Sequence, residues 1–482
     1  MKSSLVFLKN EKGILKPIYK FSSLRKIKLY LVGGVLRDLF LNRARKNPDF
    51  DFCLKKGAIN FGRLLARELR GGFVVLDKQH GACRVVKRIN NNVYTFDFTD
   101  FRGKSLEADL LHRDFTINAM ALELGNIFSK PYLTDMLFDP FGAKNDLKGK
   151  IIKMVNKDAF LEDPLRILRA FSFASILDFS IDRETLRQAK SAKSKHADIS
   201  FERIRDELFK IFSTENAYEY LFRLDELKIL KIIFPEIEKM RGIGQGPYHH
   251  LDVWQHTLET VKQFEILLRE LKRNKEIQVY LNADVSSGRS RYALIKLAAL
   301  LHDVGKPAAL RREDGKIKFH GHERIGLRIT EEISKRLKLS NGELNSLKTI
   351  VLRHLRPGYL ADVEELTPRA KFRFFRDAAD ETISILLLSV ADQRATKGPL
   401  TTSNSRFRQE KLAFGLIREY LRKKKEKKIP RLLTGDDLIK KFKLEPSPLI
   451  GKILFELEEL QAIGKIKTKQ QALKAAGKLA KA

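Results

Sequence analysis

The chain has 482 residues, and 43% of them are hydrophobic, so it is long enough for roughly two to four domains with buried cores. Its 93 lysines and arginines outnumber 60 aspartates and glutamates, which gives a formal net charge of +33 at pH 7. This excess points to a polyanionic partner, of which nucleic acid is the first candidate. A generally solubilising charge is the alternative that composition leaves open.

Cysteine content and hydropathy indicate the compartment. Two cysteines, Cys53 and Cys83, are too few for a disulfide framework or a zinc knuckle, so we expect a cytoplasmic protein. The N-terminal sequence has no uninterrupted apolar segment of signal-peptide type, and no window reaches the roughly 18 apolar residues of a membrane span. We therefore expect no membrane partner, and nothing in the sequence indicates an obligate protein partner.

The first 155 residues combine predicted strands and helices. "KLYLVG", from Lys28, predicts a strand that runs into a glycine turn, and "DFDFCL" and "VYTFDFTDF" alternate as half-buried strands do. "INFGRLLARELRGG" predicts a helix that ends at a glycine pair. The N-terminal region is therefore predicted to be an α+β domain with a mixed sheet.

The rest of the chain is predicted to be helical, since apolar residues recur there every three or four positions. A glycine-rich break, "RGIGQGP", and a polar stretch, "TKGPLTTSNS", enclose a segment rich in histidine. A basic run, "LRKKKEKKIPR", then leads to two predicted helices and a frayed end at "ALKAAGKLAKA". The predicted domains cover residues 1–155, 156–240, 241–400 and 401–482.

The stretch "GGVLRDLFLNRARKNPDFDF" carries the first candidate site. Asp49 and Asp51 are two residues apart on a predicted strand, so both carboxylates point to one face. Adjacent like charges need a compensating cation, and hard oxygen ligands suit Mg²⁺, which in turn holds nucleotide phosphates. Gly33 and Gly34 would let backbone N–H groups approach a phosphate, with Arg37 one helical turn further on. An ordinary edge strand with solvated acids is the alternative.

At these residues the sequence resembles the nucleotidyltransferases with polymerase-β-type heads, and more narrowly the class II tRNA nucleotidyltransferase and bacterial poly(A) polymerase family. "RDFTINAMAL" is similar to the second motif of that family, "DPFGAKNDLKGK" to its head–neck hinge and "EDPLRILRA" to its base-reading motif. The resemblance implies a polymerase-β-like head followed by an all-α neck and body. It also implies that Arg113, Asp114 and Asn118 recognise ribose and triphosphate.

Asp97, in "TFDFTDFR", is a candidate third carboxylate. Near the metal pair it would serve as a general base toward an RNA 3′-hydroxyl, as the resemblance implies. A structural acid that caps the loop to Arg102 is the alternative.

The helical motif "EDPLRILRA" can explain base selection. Asp163, Arg166 and Arg169 follow one another at intervals of three, so they can line one helix face. Cytosine and adenine share an amino donor beside a ring-nitrogen acceptor, which a carboxylate and a guanidinium match. Uracil and guanine present the opposite polarity, and each unpaired buried group costs about 1–3 kcal/mol. The alternative is an ion pair on the helix surface, which would contribute little.

Two features depart from the family pattern. The family commonly carries another arginine one turn past Arg169, where this chain has Ser172. Many relatives that add CCA also have a long flexible loop before the second motif, and here "TDFRGKSLEADLLHRDF" is compact. In the family that loop is linked to the switch from C to A addition, so an enzyme that adds only CC, only the terminal A, or poly(A) stays open.

The histidine-rich segment resembles the HD-domain phosphohydrolases. Its histidines and acids follow an H…HD…H…H…D order. The resemblance implies that the adjacent pair His302 and Asp303 binds a metal, with His256 and Asp392 completing a mononuclear site. Imidazole with carboxylate suits Mn²⁺, Ni²⁺, Fe²⁺ or Zn²⁺, and a bound water of lowered pKa would attack a phosphoester. Satisfied core histidines and a degenerate HD fold kept for RNA binding are the alternatives. Further histidines of this segment are His320, His322 and His354.

The resemblance implies a Mg²⁺-dependent enzyme that adds C and A residues to a tRNA 3′ end from CTP and ATP. The C-terminal sequence is similar to the last helical element of relatives with HD domains, and its spaced lysines suit phosphate contact. A helix pair that only docks on the HD domain is equally compatible. Rival functions are poly(A) synthesis, addition of CC or A alone, and an HD phosphohydrolase acting on RNA ends.

Overall fold

The computed structural model describes residues 4–43, 49–89, 92–129, 133–192, 199–426 and 430–480. The chain divides into two compact units, Met1–Ile211 and Phe212–Ala482. Among the described residues, no helix combines the length and the apolar character needed to cross a membrane.

A six-stranded mixed sheet forms the centre of the first unit. Its strands are β1 (Tyr30–Val32), β2 (Phe50–Leu54), β3 (Gly72–Asp77), β4 (Ala82–Ile89), β5 (Asn92–Asp100) and β6 (Ala121–Glu123). They lie in the order β3-β4-β5-β2-β1-β6, in which β2 and β5 are parallel and all other neighbours are antiparallel. The predicted mixed sheet is therefore confirmed.

Alternation along β2 and β5 decides which side chains are buried. Phe50 and Phe96 stack with ring centroids 5.7 Å apart, and Phe52 and Phe98 stack at 5.2 Å. All four rings are buried, and because side chains alternate along a strand, the residues between them face the other side. The carboxylates of the candidate site occupy those intervening positions.

Ten helices belong to this part of the chain as described. They are α1 (Ser4–Leu24), α2 (Gly34–Phe40), α3 (Ala58–Leu69), α4 (Leu106–Leu111), α5 (Asn126–Ser129), α6 (Ala143–Gly149), α7 (Ala159–Glu162), α8 (Leu165–Leu177), α9 (Arg183–Ala192) and α10 (Phe201–Phe212). The compact loop noted in the sequence contains α4, whose first turn is capped by a hydrogen bond from Ala108 N to Ser105 Oγ.

The second unit is mainly helical. Its helices are α11 (Ala217–Glu226), α12 (Leu230–Ile233), α13 (Val253–Glu270), α14 (Lys275–Asn282), α15 (Arg291–Leu301), α16 (Lys306–Ala309), α17 (His322–Arg336), α18 (Asn341–Arg353), α19 (Arg356–Ala361), α20 (Pro368–Ala378), α21 (Thr382–Ala395), α22 (Ser403–Lys425), α23 (Gly435–Phe442), α24 (Pro448–Ala462) and α25 (Lys469–Leu479). The very apolar helix α15 lies at the centre of this unit, with every residue from Ala293 to Leu301 buried.

The predicted helical body is confirmed, and three short strand pairs accompany its helices. Strands β7 (Ile151–Ile152) and β8 (Ser180–Ile181) form a short parallel pair. Two antiparallel hairpins follow, one of β9 (Asp284–Ser286) with β10 (Arg289–Ser290) and one of β11 (Arg311–Glu313) with β12 (Lys316–Lys318). Strands of two or three residues are too short to show an alternating pattern, so periodicity could not reveal them.

The C-terminal module contains three helices rather than the two that we predicted, and α25 occupies the end that was expected to fray. Apolar residues from all three helices share one small core, which includes Leu438, Ile453 and Ala476. Glu459 on α24 is fully buried, and Arg373 on α20 donates to it from Nε at 2.6 Å. This ion pair, of which only Glu459 is buried, joins the module to α20.

Candidate active site

A tight turn between β1 and α2 forms one wall of the site. Gly33 has φ 77° and ψ −147°, a conformation that is essentially restricted to glycine, and α2 begins at Gly34. A Cβ atom on Gly33 would lie 2.8 Å from Asp51 Oδ2 and 3.4 Å from Arg113 Nη1. The glycine therefore permits the Asp51 carboxylate to approach the backbone closely.

Replacing Gly33 by alanine is expected to reduce nucleotide addition by about tenfold to a hundredfold, because Asp51 must move away from the new Cβ. Gly142→Ala is the matched control, since Gly142 also has a positive φ, 76°, but open space around its Cβ position. Both variants should lose some thermal stability. Equal activities in steady-state assays of the two variants would contradict this role for Gly33.

The predicted carboxylates meet on one face of the sheet. Asp51 on β2 is in register with Asp97 on β5, which is in register with Arg84 on β4. Asp49 lies one residue before β2, and its carboxylate accepts a hydrogen bond from the Thr95 hydroxyl. Side chains that are paired in register project from the same face, so the two strands bring three acids together.

Asp51 has the most perturbed environment of the three acids. Burial raises the pKa of its carboxyl, the charge of Arg113 lowers it, and the neighbouring carboxylates of Asp97 and Asp49 raise it. The net result is a pKa of about 6 for Asp51. A divalent cation beside Asp49 and Asp51 would offset both the burial and the repulsion. The residues present therefore fit a hard cation such as Mg²⁺.

Asp97 is held by an arginine that sequence analysis did not identify. Arg84 donates from Nε to Oδ1 at 2.7 Å and from Nη2 to Oδ2 at 2.8 Å, so the pair is bidentate. The alternative expected from the sequence was a cap on the loop to Arg102. In the structure, Asp109 rather than Asp97 accepts a hydrogen bond from the loop, from Arg102 N to Asp109 Oδ1 at 3.1 Å.

The contacts of Arg37 differ from those expected from the sequence. The sequence analysis expected it to hold a phosphate, but its guanidinium is buried and donates to Asp38 Oδ1 from Nε at 2.9 Å and from Nη2 at 2.8 Å. A third bond runs from Nη1 to Asn118 Oδ1 at 2.9 Å. Arg37 therefore compensates a buried acid and joins α2 to the second motif, and we leave it out of the phosphate contacts.

Asp114 and Asn118 are hydrogen-bonded to each other. Asp114 Oδ1 accepts from Asn118 Nδ2 at 3.0 Å, and Asp114 Oδ2 accepts from Arg169 Nε and Nη2 at 3.0 and 2.7 Å. Burial alone would raise the pKa of Asp114, but the charge of Arg169 and these hydrogen bonds lower it to about 2. Asp114 is thus a fixed anion that orients Arg169.

The side chains of the motif "EDPLRILRA" are held by contacts within the chain. Arg166 donates to Glu162 Oε2 at 3.0 Å, to the Ala159 carbonyl at 3.2 Å and to the His112 carbonyl at 2.6 Å. Asp163 Oδ2 accepts from Arg203 Nη2 on α10 at 2.7 Å. These contacts use three of the five guanidinium hydrogens of Arg166, so donors are left for a nucleobase.

Position 172 shows how the chain departs from its family. Ser172, at the position where the resembled family commonly has an arginine, is fully buried on α8. Its single hydroxyl hydrogen has two acceptors within reach, Glu207 Oε2 on α10 and the Arg169 carbonyl at 3.1 Å. Glu207 also lies 3.5 Å from Arg169 Nη1. Ser172 therefore links α8 to α10 through Glu207 and does not extend into the site.

Part of these groups lines a cleft of about 310 Å³, a size that suits a nucleotide, whereas Asp49, Gly33, Gly34, Arg37 and Asn118 are not among its lining residues. Its lining contains five acids and five arginines, the side-chain types that a phosphate, its cation and a base edge require. The residues lining the cleft are Asp51, Phe52, Leu76, Asp97, Thr99, Arg102, Asp109, His112, Arg113, Asp114, Asp163, Arg166, Arg169 and Arg203.

The second unit contains a separate cluster of metal-ligand residues. His256 Nε2 lies 2.8 Å from Asp392 Oδ1, and His302 Nε2 lies 3.8 Å from the same oxygen. Asp303 Oδ2 lies 3.2 Å from His302 Nε2 and 3.8 Å from His256 Nε2. The structure thus brings together all four residues of the predicted HD site. His302 Nε2 is buried and makes no hydrogen bond of normal geometry, which fits a bound cation.

Comparison with known proteins gives matches along most of the chain. A family model described as the poly A polymerase head domain matches residues 29–153. A model described as the probable RNA and SrmB-binding site of polymerase A matches residues 178–240, and the HD domain model matches residues 253–396. The first covers the six-stranded sheet and the cleft residues from Asp51 to Asp114, and the third covers the histidine cluster.

Similar proteins cover nearly the whole length. An A-adding tRNA nucleotidyltransferase of Deinococcus radiodurans is 32% identical over 88% of this chain and 89% of its own length. A CC-adding tRNA nucleotidyltransferase of Geobacter sulfurreducens is 29% identical over 88% of this chain and 86% of its own. The Thermotoga maritima CCA-adding enzyme, solved with tRNA, has the same fold, with TM-score 0.64, 22% identity and coverage of 99% and 98%. The chain is therefore a nucleotidyltransferase, and it belongs to the tRNA nucleotidyltransferase and poly(A) polymerase family.

Proposed function

We propose that this enzyme adds C and/or A residues to the 3′ end of tRNA from CTP and ATP, with release of pyrophosphate. The cleft carries this proposal, because Asp51 of β2 and Asp97 of β5 line it together with Asp163 and with Arg166 and Arg169 of α8. Both relatives described above are named for this class of reaction. The unpaired, buried cysteines Cys53 and Cys83 accord with a reducing cytoplasm as its place of action.

In the proposed reaction, the RNA 3′-hydroxyl oxygen attacks the α-phosphorus of the nucleoside triphosphate. The bond between that phosphorus and the bridging oxygen of the β-phosphate breaks, and pyrophosphate leaves. Asp97 accepts the hydroxyl proton, and Arg84 fixes the orientation of its carboxylate. Arg113, beside Asp51 and the Gly33 turn, pairs with the triphosphate. Mg²⁺ held by Asp49 and Asp51 would supply neutralisation of phosphate charge.

Asp163 and Arg166 select the base in this proposal. The carboxylate accepts from the exocyclic amino group of cytosine or adenine, and the guanidinium donates to the neighbouring ring nitrogen. Arg169 is ion-paired with Asp114 and contacts the ribose rather than the base in this proposal. The base-reading pair is rigid because Glu162, His112 and Arg203 hold it.

We propose the following division of labour along the chain. The head at 1–155 performs catalysis, the neck at 156–240 reads the nucleotide, and the HD domain at 241–400 forms the body. The module at 401–482 contacts RNA phosphates through spaced lysines, which suit recognition of tRNA by shape.

Incubation with defined tRNA ends tests the proposed function. Transcripts ending at the discriminator base, at CC, or at the mature CCA would each receive one nucleoside triphosphate at a time, and the products would be sequenced. Addition that stops at or before CCA supports the proposal and tells CC, A and CCA addition apart. Long adenosine tails on any RNA would instead identify a poly(A) polymerase, and failure to extend any end would contradict both.

The histidine cluster favours a second activity, a metal-dependent phosphohydrolase. His256, His302, Asp303 and Asp392 would hold a divalent transition metal, which would supply a water of lowered pKa for attack on a phosphoester. Asp49→Ala separates the two activities, since it should abolish nucleotide addition and spare hydrolysis of a model phosphoester. Loss of both activities in a folded variant would contradict two independent sites.

A further inference from the structure

The sheet face that carries the carboxylates of the head continues beyond them onto strands β4 and β3. Val74 on β3 is in register with Arg84, and Arg84 is in register with Asp97. Val74 and Leu76 are 53% and 49% exposed, and Leu76 also lines the cleft. We propose that this face binds the 3′ end of the RNA, with the terminal base packed on Val74 and Leu76. The inference rests on the proposed function, for which it locates the RNA end.

The other face of the same strands packs on helix α3. Val85 is buried there, and a Cβ atom on Gly62 of α3 would lie 3.4 Å from the ring of Phe73. Because side chains alternate along a strand, Val74 and Val86 point away from α3, to the side of the carboxylates. Exposed apolar side chains that adjoin a cleft indicate a surface that contacts a ligand.

A basic pocket of about 340 Å³ lies further along these strands. Its lining includes the cations of Arg70, Lys87 and Arg88 together with the apolar side chains of Val86 and Val93. Arg70, Arg88 and Val93 are exposed. Three cations around one pocket suit the phosphates of a polynucleotide, and apolar side chains among them suit the faces of its bases and riboses.

The distances between these groups suit the end of an RNA strand. Neighbouring strands are about 4.8 Å apart, so Val74 lies about 10 Å across the sheet from Asp97. At about 3.3 Å per residue, Arg88 lies about 13 Å along β4 from Arg84. A terminal nucleotide with its 3′-hydroxyl at Asp97 thus places its base on Val74, while the preceding phosphates reach the basic pocket. Asp51, beside the incoming triphosphate, lies on the opposite side of Asp97.

Charge favours RNA over a second copy of this chain as the occupant. Strand β3 is the last strand of the sheet, and an open edge of this kind also suits pairing with another strand. A two-fold dimer on this face would bring Arg70, Lys87 and Arg88 of one copy close to the same residues of the other, in a chain of net charge +33. A polyanion instead neutralises these cations.

Photo-crosslinking tests the contact without any assay of nucleotide addition. p-Benzoylphenylalanine would replace Val74 in the full chain, and Leu24 in the matched control, because Leu24 is exposed at the end of α1. Each protein would be irradiated with a tRNA transcript that lacks its CCA end, and mass spectrometry would identify the crosslinked nucleotide. We expect crosslinks from position 74 to the terminal or penultimate nucleotide and none from position 24. Crosslinks from position 74 only to other parts of the tRNA, or to none, would overturn the proposal.

Steady-state kinetics separate a contact with RNA from one with the triphosphate. Val74→Ser and Arg88→Glu are expected to raise KM for tRNA by about threefold to tenfold and to leave KM for the nucleoside triphosphate unchanged. Leu24→Ser and Arg67→Glu are the matched controls, since Arg67 is exposed on α3. An equal rise of KM for tRNA in the controls, or a rise confined to the triphosphate, would contradict the assignment.

The outcomes distinguish failure of the inference from failure of the proposed function. Normal nucleotide addition without crosslinks from position 74 would overturn the inference alone. Crosslinks to the RNA end in a protein that adds no nucleotide would support the RNA surface and overturn the proposed function. A wild-type dimer that Val74→Ser dissociates, measured by light scattering, would show that a second copy occupies this face and would overturn the inference.

Discussion

Replacing Asp51 by asparagine is expected to lower kcat/KM for nucleotide addition by at least about 10³-fold, equivalent to about 4 kcal/mol of transition-state stabilisation. The amide keeps the shape of the side chain but cannot supply an anionic oxygen to the cation that faces the triphosphate. Asp77→Asn is the matched control, because Asp77 is an exposed acid at the end of β3 that pairs with His80. Retention of more than a tenth of wild-type activity by Asp51→Asn would contradict the assignment.

The same variant is expected to be more stable than the wild type when no divalent ion is present. The pKa of Asp51 is raised to about 6 in the folded state from 3.8, so the folded state prefers the protonated acid. Ionisation therefore costs stability as the pH rises from about 4 to 6, and the full cost, about 1–3 kcal/mol, applies above pH 6. Thermal melts in a chelator should show a higher Tm for Asp51→Asn at pH 8 and no difference at pH 3.5.

Changing the base-reading pair is expected to affect selectivity more than stability. Asp163→Asn replaces an acceptor by an amide that can also donate, so UTP and GTP should become substrates. Each mismatched buried group costs about 1–3 kcal/mol, so the preference for CTP or ATP should fall by roughly tenfold to a hundredfold. Kinetics with all four nucleoside triphosphates on one tRNA transcript measure this ratio.

Arg166→Ala should lower kcat/KM for CTP and ATP alike, since it removes the donor to the ring nitrogen and the bonds to Glu162 and His112. Arg187→Ala is the matched control, because Arg187 is an exposed arginine on α9 that pairs with Glu184. Unchanged selectivity in Asp163→Asn together with normal rates in Arg166→Ala would show that the base is read elsewhere.

Motifs that are local in sequence could be placed before the structure was known. The alternation around Asp49 and Asp51 and the glycine pair are set by the geometry of one strand and one turn. The expectation that Asp163 shares a helix face with Arg166 and Arg169 was wrong, because Asp163 has an extended backbone between α7 and α8. The order H…HD…H…H…D identified its cluster, because one family pattern spans it. These predictions needed no knowledge of how distant elements pack.

Partners that come from distant elements could not be predicted. Arg84 reaches Asp97 only because of the register between β4 and β5, and Arg203 reaches Asp163 from a helix 40 residues away. The contact of Arg37 with Asp38 could not be predicted either, because spacing does not reveal that the adjacent acid is buried and needs a compensating charge.

The location of the head metal tests the central claim most directly. Crystals soaked with Mn²⁺ and a non-hydrolysable CTP or ATP analogue would be examined by anomalous scattering. We predict a peak about 2.0–2.2 Å from carboxylate oxygens of both Asp49 and Asp51, with the triphosphate against the Gly33 turn. A nucleotide bound in the cleft with its metal away from these two acids, or a peak that persists unchanged in Asp51→Asn, would contradict the account.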